Sequence, residues 1–183
     1  MAFQGKIISN RKTGQQIEFI QTAKDTAGRL LEMEAVFQPN SIEPVPHYHP
    51  FQEEWFTVLE GRISIRLNKE VKVLKRGDQF HIRPNEVHSM WNPSKEKTRL
   101  NWKVMPALDT EYFLENGIGI ANNKKTNGQG MPGLLQVSLL AKSFSHVFRV
   151  ARPPYLVQLI VFSIVSPIAL LAGYRSNYRE FVD

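Results

Sequence analysis

Short stretches of alternating apolar and polar residues, separated by frequent turn signals, dominate the first 105 residues. The alternation is clearest over 31–37, 62–67 and 98–104. A period of two residues is typical of a strand with one buried face. Pro, Gly, Asn and Asp form turns between these stretches. Many short strands with frequent turns predict an all-β sandwich or barrel.

The pattern changes after Pro106 to a spacing of three and four residues, which is typical of helices. We predict a short helix from Asp109 to Asn116, a polar loop over 117–131, and a second helix that begins at Pro132. The sequence Arg152-Pro-Pro should end that second helix. The chain is therefore predicted to have a mainly β domain over 1–106. A helical extension over 107–183 would pack on the barrel or on a partner subunit.

The complete absence of cysteine restricts the chemistry of the chain. Its 183 residues fit one domain with an appendage, and none of them is cysteine. A disulfide framework, a zinc site with thiolate ligands and a cysteine nucleophile are all excluded. Any metal ion must therefore be bound by His, Asp or Glu side chains.

The basic surplus of the chain is dispersed. The net charge is +6, but no run of five or more basic residues occurs. Arg62 and Arg66 alternate with apolar residues, as expected for the solvated face of a strand. A nucleic-acid partner is therefore not predicted. The first residues lack the apolar region of a signal peptide, so we expect a cytoplasmic protein.

The segment 46–61 carries the most informative polar residues. His47 and His49 are two residues apart, so their side chains should lie on one strand face. A carboxylate follows at Glu53 or Glu54, and Glu54 shares its strand face with Phe56. Two imidazoles and a carboxylate are a typical ligand set for a divalent transition metal. A second segment, 77–92, adds two more histidines, His81 and His88.

These two segments resemble the cupin superfamily. The first cupin motif has the form G(X)5HXH(X)3-4E(X)6G, and the second has the form G(X)5PXG(X)2H(X)3N. The positions that match are His47, His49, Glu54, Gly61, Gly77, His88 and Asn92. The positions that depart are Ser41, Arg83 and Asn85, which replace Gly, Pro and Gly. Asn is the best substitute for glycine in a left-handed turn, so we expect the turn at 83–85 to be kept.

The resemblance implies a double-stranded β-helix barrel that binds one divalent metal ion, namely Fe, Mn, Ni, Zn or Cu. The implied ligands are His47, His49, Glu54 and His88, with one or two positions left for water, substrate or dioxygen. Similarity to the quercetin-dioxygenase-like branch implies a metal-dependent oxygenase that acts on a small aromatic or enolic substrate. The alternative is a non-catalytic cupin that binds or senses a small molecule. A homodimer is the default expectation for such a barrel.

An enzyme of this kind needs a titratable group beside the open metal positions. His81 and Glu53 are the catalytic candidates, although Glu53 is expected on the strand face opposite Glu54. Four further residues are predicted to line the pocket, because they are aromatic or because they are apolar and close in sequence to a candidate ligand. They are Phe56, Met90, Trp91 and Trp102.

The segment 155–174 contains no charged residue. Its 20 residues are long and apolar enough to cross a bilayer, with arginines on both sides. Such an anchor would hold the protein at the cytoplasmic face of a membrane. Ser166 and Pro167 favour a second interpretation, in which two shorter helices over 154–165 and 167–172 pack on protein or along a membrane surface.

Overall fold

The computed structural model describes residues 1–123, 126–127 and 131–182, and it consists of two antiparallel β-sheets and four helices. The strands in chain order are β1 (Ile7–Ser9), β2 (Gln16–Gln21), β3 (Leu31–Phe37), β4 (His47–Tyr48), β5 (Glu53–Glu60), β6 (Arg62–Leu67), β7 (Glu70–Lys75), β8 (Gln79–Ile82), β9 (His88–Trp91), β10 (Thr98–Met105) and β11 (Arg149–Val150). The helices are α1 (Thr110–Asn122), α2 (Leu134–Ser143), α3 (Tyr155–Leu171) and α4 (Arg179–Val182). The prediction of a mainly β fold with helices after residue 106 is confirmed.

The two sheets face each other across one apolar interior. One sheet has the strand order β1-β2-β3-β10-β5-β8, and the other has the order β11-β4-β9-β6-β7. β3 and β5 bury alternate side chains in the interior, as the period of two requires. Phe56 and Val58 of β5 pack there with Ile63 and Ile65 of β6, and all four side chains are buried. The predicted strands 31–37 and 62–67 coincide with β3 and β6.

The C-terminal part of the chain contributes a strand to the barrel. Val150 of β11 is the register partner of His47, and Arg149 is the partner of Tyr48. His47 in turn is paired with His88 of β9. The predicted second helix, which was to run as far as Arg152, is therefore wrong at its end. It stops at Ser143 because the chain turns back there to pair with β4.

The first helix is longer than predicted. α1 continues through Gly117 to Asn122, although glycine inside a helix costs about 1 kcal/mol relative to alanine. The later residues Ile118 and Ile120 are buried, and this packing outweighs the weak helix propensity of glycine. The predicted loop over 117–131 is therefore wrong at its start. Residues 124, 125 and 128–130 of that loop lie outside the described residues.

The charge-free segment forms one helix instead of two. α3 runs unbroken from Tyr155 to Leu171 with Pro167 inside it. Proline removes one hydrogen bond, to the carbonyl group of residue 163, but Ser163 is exposed and water can reach that group. Ser166 and Ala169 are buried and hold the second half of the helix in place. Among the described residues, no helix combines the length and apolar character needed to cross a membrane.

Candidate metal centre

Three histidines converge at one end of the barrel interior. His47 and His88 are cross-strand partners on β4 and β9, and His49 follows β4. One ring nitrogen of each histidine lies within 4.8 Å of the others. His49 and His88 are buried and His47 is partly buried. These three side chains can hold a metal ion.

Backbone carbonyl groups fix the orientation of all three imidazole rings. In each ring the Nδ1 atom faces a carbonyl oxygen, which can only accept a hydrogen bond. The pairs are His47 with Val45 at 3.2 Å, His49 with Val147 at 2.6 Å, and His88 with Glu86 at 2.9 Å. Nδ1 must therefore carry the proton, and Nε2 keeps its lone pair for a ligand. Such an arrangement is usual for histidines that bind metals.

Glu54 completes the cluster from β5. Its side chain is 2% exposed, and its Oε2 atom lies 3.3 Å from His49 Nε2 and 3.0 Å from His88 Nε2. Trp102 Nε1 donates a hydrogen bond of 3.0 Å to the other oxygen, Oε1. Glu54 is fixed on one side by this bond and presents its second oxygen to the histidines.

The contact between Glu54 and His49 shows whether these residues fit a cation. Glu54 Oε2 and His49 Nε2 are both buried and have no partner with hydrogen-bond geometry among the described residues. Because Nδ1 of His49 carries the proton, two acceptor atoms face each other in a dry site. Such an arrangement is unfavourable unless a proton or a metal cation lies between the two atoms. The residues present therefore fit a divalent metal ion.

The ionisation of the cluster agrees with this chemistry. Burial, reinforced by the neighbouring His88 and His49, lowers the pKa of His47 to about 3, so this ring is neutral at neutral pH. Burial alone would raise the pKa of Glu54, but the charge of His49 and contacts with both histidines hold it well below its usual value. Burial would lower the pKa of His49, but the carboxylate of Glu54 outweighs it and raises that pKa. The centre thus holds a carboxylate anion, a neutral His47 ring and a His49 ring with a raised pKa, whose added proton a metal ion would displace.

A cavity of about 430 Å³ opens directly onto this cluster. His47, Glu54 and His88 line it, together with several other polar side chains. The remaining wall is largely apolar and includes three of the predicted pocket residues, Phe56, Met90 and Trp102. The fourth, Trp91, is not among the lining residues. It lies one residue after Met90 and so points to the other face of β9, where the Arg66 guanidinium is 5.6 Å from its ring.

The two catalytic candidates lie outside this cavity. His81 Nε2 is 2.8 Å from Glu53 Oε2, and the His81 ring stacks on Trp55 at a centroid distance of 3.9 Å. Trp55 and His81 are register partners on β5 and β8, on the face of the sheet opposite Glu54. The structure therefore does not bring His81 or Glu53 to the histidine cluster.

Two contacts from the C-terminal extension belong to the centre and were not predicted. The Val147 carbonyl accepts from His49, and the Phe148 ring stacks on His47 at a centroid distance of 4.6 Å. In the sequence these residues fit the apolar spacing of a helix. The two-residue strand that follows them is too short to produce a periodic signal.

Comparisons with known proteins agree with this geometry. A family profile described as the cupin domain matches residues 33–104. Among characterised proteins, the quercetin 2,3-dioxygenase of Bacillus subtilis (strain 168) is 29% identical over 102 residues, which is 55% of this chain and 30% of that protein. The chain covers between 30% and 42% of the length of the curated relatives it matches.

Two solved structures show the same fold. An RmlC-like cupin from Shewanella frigidimarina is 21% identical, with a TM-score of 0.50 and coverage of 61% of this chain and 94% of that chain. A predicted oxalate decarboxylase from Thermotoga maritima is 17% identical, also with a TM-score of 0.50. The match covers 58% of this chain and 99% of that chain. The barrel of this protein has the double-stranded β-helix fold of the cupins, and residues 33–104 of the chain match the cupin domain family.

Proposed function

We propose that the protein is a metal-dependent cupin oxygenase that acts on a small aromatic or enolic substrate. The observation that carries this proposal is the buried pair of unpartnered atoms, Glu54 Oε2 and His49 Nε2, beside a cavity that Glu54 lines. In this proposal His47, His49, Glu54 and His88 hold one divalent metal ion. Three imidazole nitrogens and one carboxylate suit Fe, Mn, Ni, Cu or Zn better than Mg or Ca.

The residues of the chain provide orientation and a dry environment. The three backbone carbonyls and the Trp102 indole hold the four side chains in place before a ligand arrives. A divalent metal bound there supplies a Lewis acid and a template for an oxygen-bearing substrate and dioxygen. His49, Glu54 and His88 are buried, which strengthens electrostatic interactions at the centre.

The cavity favours a small planar molecule. Its volume of about 430 Å³ lies in the range for small-molecule sites. Phe56 and Trp102 stack with their ring centroids 5.8 Å apart and form part of the wall beside Glu54. Flat aromatic walls of this kind suit a planar aromatic or enolic ligand. The partial similarity to a quercetin 2,3-dioxygenase supports the same class of substrate.

One observation favours a second function, metal-dependent binding or sensing without turnover. Outside the metal cluster, the titratable residues that line the cavity in the described part of the chain are Lys12 and Glu43. Lys12 Nζ donates to two backbone carbonyls, and Glu43 is paired with Arg66 and Ser89. A general base would therefore have to come from the metal cluster or from the substrate.

Elemental analysis followed by oxygen uptake tests the proposal. The native protein should contain about one transition-metal ion per chain, and a panel of flavonols, catechols and β-diketones should include compounds that trigger oxygen consumption. The double variant His47→Ala/His49→Ala should lose both the metal and the uptake while keeping its β-sheet circular dichroism spectrum. Stoichiometric metal in this variant would overturn the ligand assignment. Tight binding of a panel compound with no oxygen uptake would overturn the oxygenase assignment in favour of binding without turnover.

A further inference from the structure

We propose that α3 lies flat on an anionic lipid surface and that its exposed aliphatic side is the contact face. The starting observation is that α3 packs on the rest of the protein through polar and small residues. Its fully buried side chains are Gln158, Ser166 and Ala169. An ordinary surface helix buries its apolar side and exposes its polar side, so α3 has the reverse arrangement.

The buried polar groups of α3 are well satisfied where they are. Gln158 Nε2 donates to the carbonyls of Val150 and Pro153, at 2.9 and 2.6 Å. The Ser166 hydroxyl donates to the carbonyl of Phe162 in the preceding turn. The Gln158 bond to Val150 of β11 and a longer one, of 3.4 Å, from Ser166 to the Ser138 carbonyl of α2 fix which side of the helix faces the protein, and therefore also which side faces outward.

The outward side is a continuous line of large aliphatic side chains. Members of this line, which we call the aliphatic stripe, follow each other at four, four, four and three residues and so share one helix face. They are Leu156 (72% exposed), Ile160 (63%), Ile164 (65%), Ile168 (54%) and Leu171 (90%). Seventeen residues of helix extend over about 25 Å. An apolar surface of this length on one element marks a protein or membrane contact.

The charges around the stripe favour lipid over a second copy of the chain. No acidic residue occurs between 151 and 179, and Arg152, Arg175 and Arg179 are exposed at the two ends of the helix. Two copies packed antiparallel through α3 would bring Arg152 of one against Arg175 and Arg179 of the other, and the exposed carboxylate of Glu180 offsets only one of these charges. Anionic phosphate headgroups complement both ends at once.

The packing of α3 also decides how it would meet a membrane. One side of the helix is occupied along its length by α2 and β11, so lipid can reach only the other side. Its length of about 25 Å is also shorter than the hydrocarbon core of a bilayer, about 30 Å. An arrangement in the plane of the interface satisfies both constraints. Tyr155 and Tyr174, which flank the stripe, are residues that favour the headgroup level.

Vesicle flotation of the full chain tests this proposal. The protein should float with vesicles of phosphatidylglycerol and phosphatidylcholine, and more weakly with phosphatidylcholine alone. Ile160→Gln/Ile164→Gln should reduce binding more than about tenfold, because two large aliphatic side chains no longer enter the lipid. Arg175→Gln/Arg179→Gln should lose about fivefold per arginine on anionic vesicles, with a weaker response to salt.

A matched control separates this surface from general hydrophobicity. Val71 and Val73 are also exposed, at 47% and 53%, on edge strand β7. Val71→Thr/Val73→Thr should bind vesicles like the unaltered chain. All variants should keep their metal content, because the stripe does not line the metal cavity.

Two results would overturn the proposal. One is the absence of flotation at low salt with either lipid. The other is a dimer in light scattering that becomes a monomer in Ile160→Gln/Ile164→Gln, which would make the stripe a subunit interface.

Discussion

Two neighbouring carboxylates on β5, Glu53 and Glu54, each face histidine, but on opposite sides of the sheet. Glu53 meets His81 at 2.8 Å, and its side chain is 37% exposed. Glu54 meets His49 and His88 at 3.3 and 3.0 Å, and its side chain is 2% exposed. The chemical groups are the same on both sides. Their access to water differs, and Glu54 contacts two histidines where Glu53 contacts one.

That difference in access determines what each group can do. Water reaches Glu53 and His81 whether or not they touch, so their contact contributes little to stability. Glu54 has exchanged water for a protein interior, and its Oε2 atom lies next to the buried His49 Nε2 atom without a hydrogen-bond partner. A buried charge in such a position must be compensated by a proton or a cation. The buried contact of Glu54 with His49 and His88 is therefore suited to a metal. The exposed contact of Glu53 with His81, which we call the outer pair, is a surface contact.

The sharpest way to test this contrast is to neutralise each carboxylate in turn. Glu54→Gln should reduce the metal content from about one ion per chain to below about 0.1, because an amide nitrogen or a weak carbonyl replaces an anionic ligand. Glu53→Gln should keep the full metal content. Elemental analysis of the two variants, purified separately by the same procedure, measures both metal contents. Equal metal content in the pair would remove the distinction between the two faces.

Metal removal should have the second largest effect. A metal present at 1,000 times its Kd stabilises the folded chain by about 4 kcal/mol. Since 1 kcal/mol shifts the melting temperature of a chain of this size by about 2–4 °C, chelation should lower it by about 8–16 °C. Differential scanning calorimetry with and without chelator measures this shift, and Glu53→Gln should show the same one. A melting temperature unaffected by chelator would contradict a built metal site.

A pair of tryptophans gives a finer comparison. Trp102 donates to Glu54 on the inner face, and Trp55 stacks on His81 on the outer face. Trp102→Phe should weaken metal affinity by about 10- to 100-fold, because the hydrogen bond that orients the ligand is lost. Trp55→Phe should leave the affinity unchanged. Competition with a chromophoric chelator gives both constants, and similar losses in the two variants would disprove an orienting role for Trp102.

The smallest effect is expected from the outer pair itself. Glu53→Gln should change the free energy of unfolding by less than about 1 kcal/mol, as is usual for exposed ion pairs. Urea denaturation measures this change. A loss of several kcal/mol would show that the outer face contains a stabilising contact of a different kind.

Much of the barrel and of the candidate centre could be predicted from local sequence. The period of two residues is a local property, and it assigned β3 and β6 to their observed bounds. The same period put His47 and His49 on one face and separated Glu53 from Glu54. The cupin spacing brought His88 into the set, and the structure brings these residues together. The resemblance, however, could not assign the metal or the reaction, and these stay predictions.

The parts that could not be predicted depend on contacts between distant residues. α1 passes Gly117 because Ile118 and Ile120 are buried by the rest of the protein. α3 passes Pro167 because its neighbours Ser166 and Ala169 are fixed by packing. Trp91 was predicted to line the pocket only because its side chain is aromatic. Its position one residue after Met90 was the available signal that it faces outward.

The pairing of β11 with β4 has a consequence for the synthesis of the protein. The His49 ring is oriented by the Val147 carbonyl, 98 residues further along the chain. Contacts over such separations form late, because a long loop must close first. On the ribosome, the barrel strands as far as Met105 emerge well before residue 147, so a nascent chain presents the three histidines without the carbonyl that orients His49. A metal ion that binds to His49 in this orientation would therefore bind only after residue 147 has emerged.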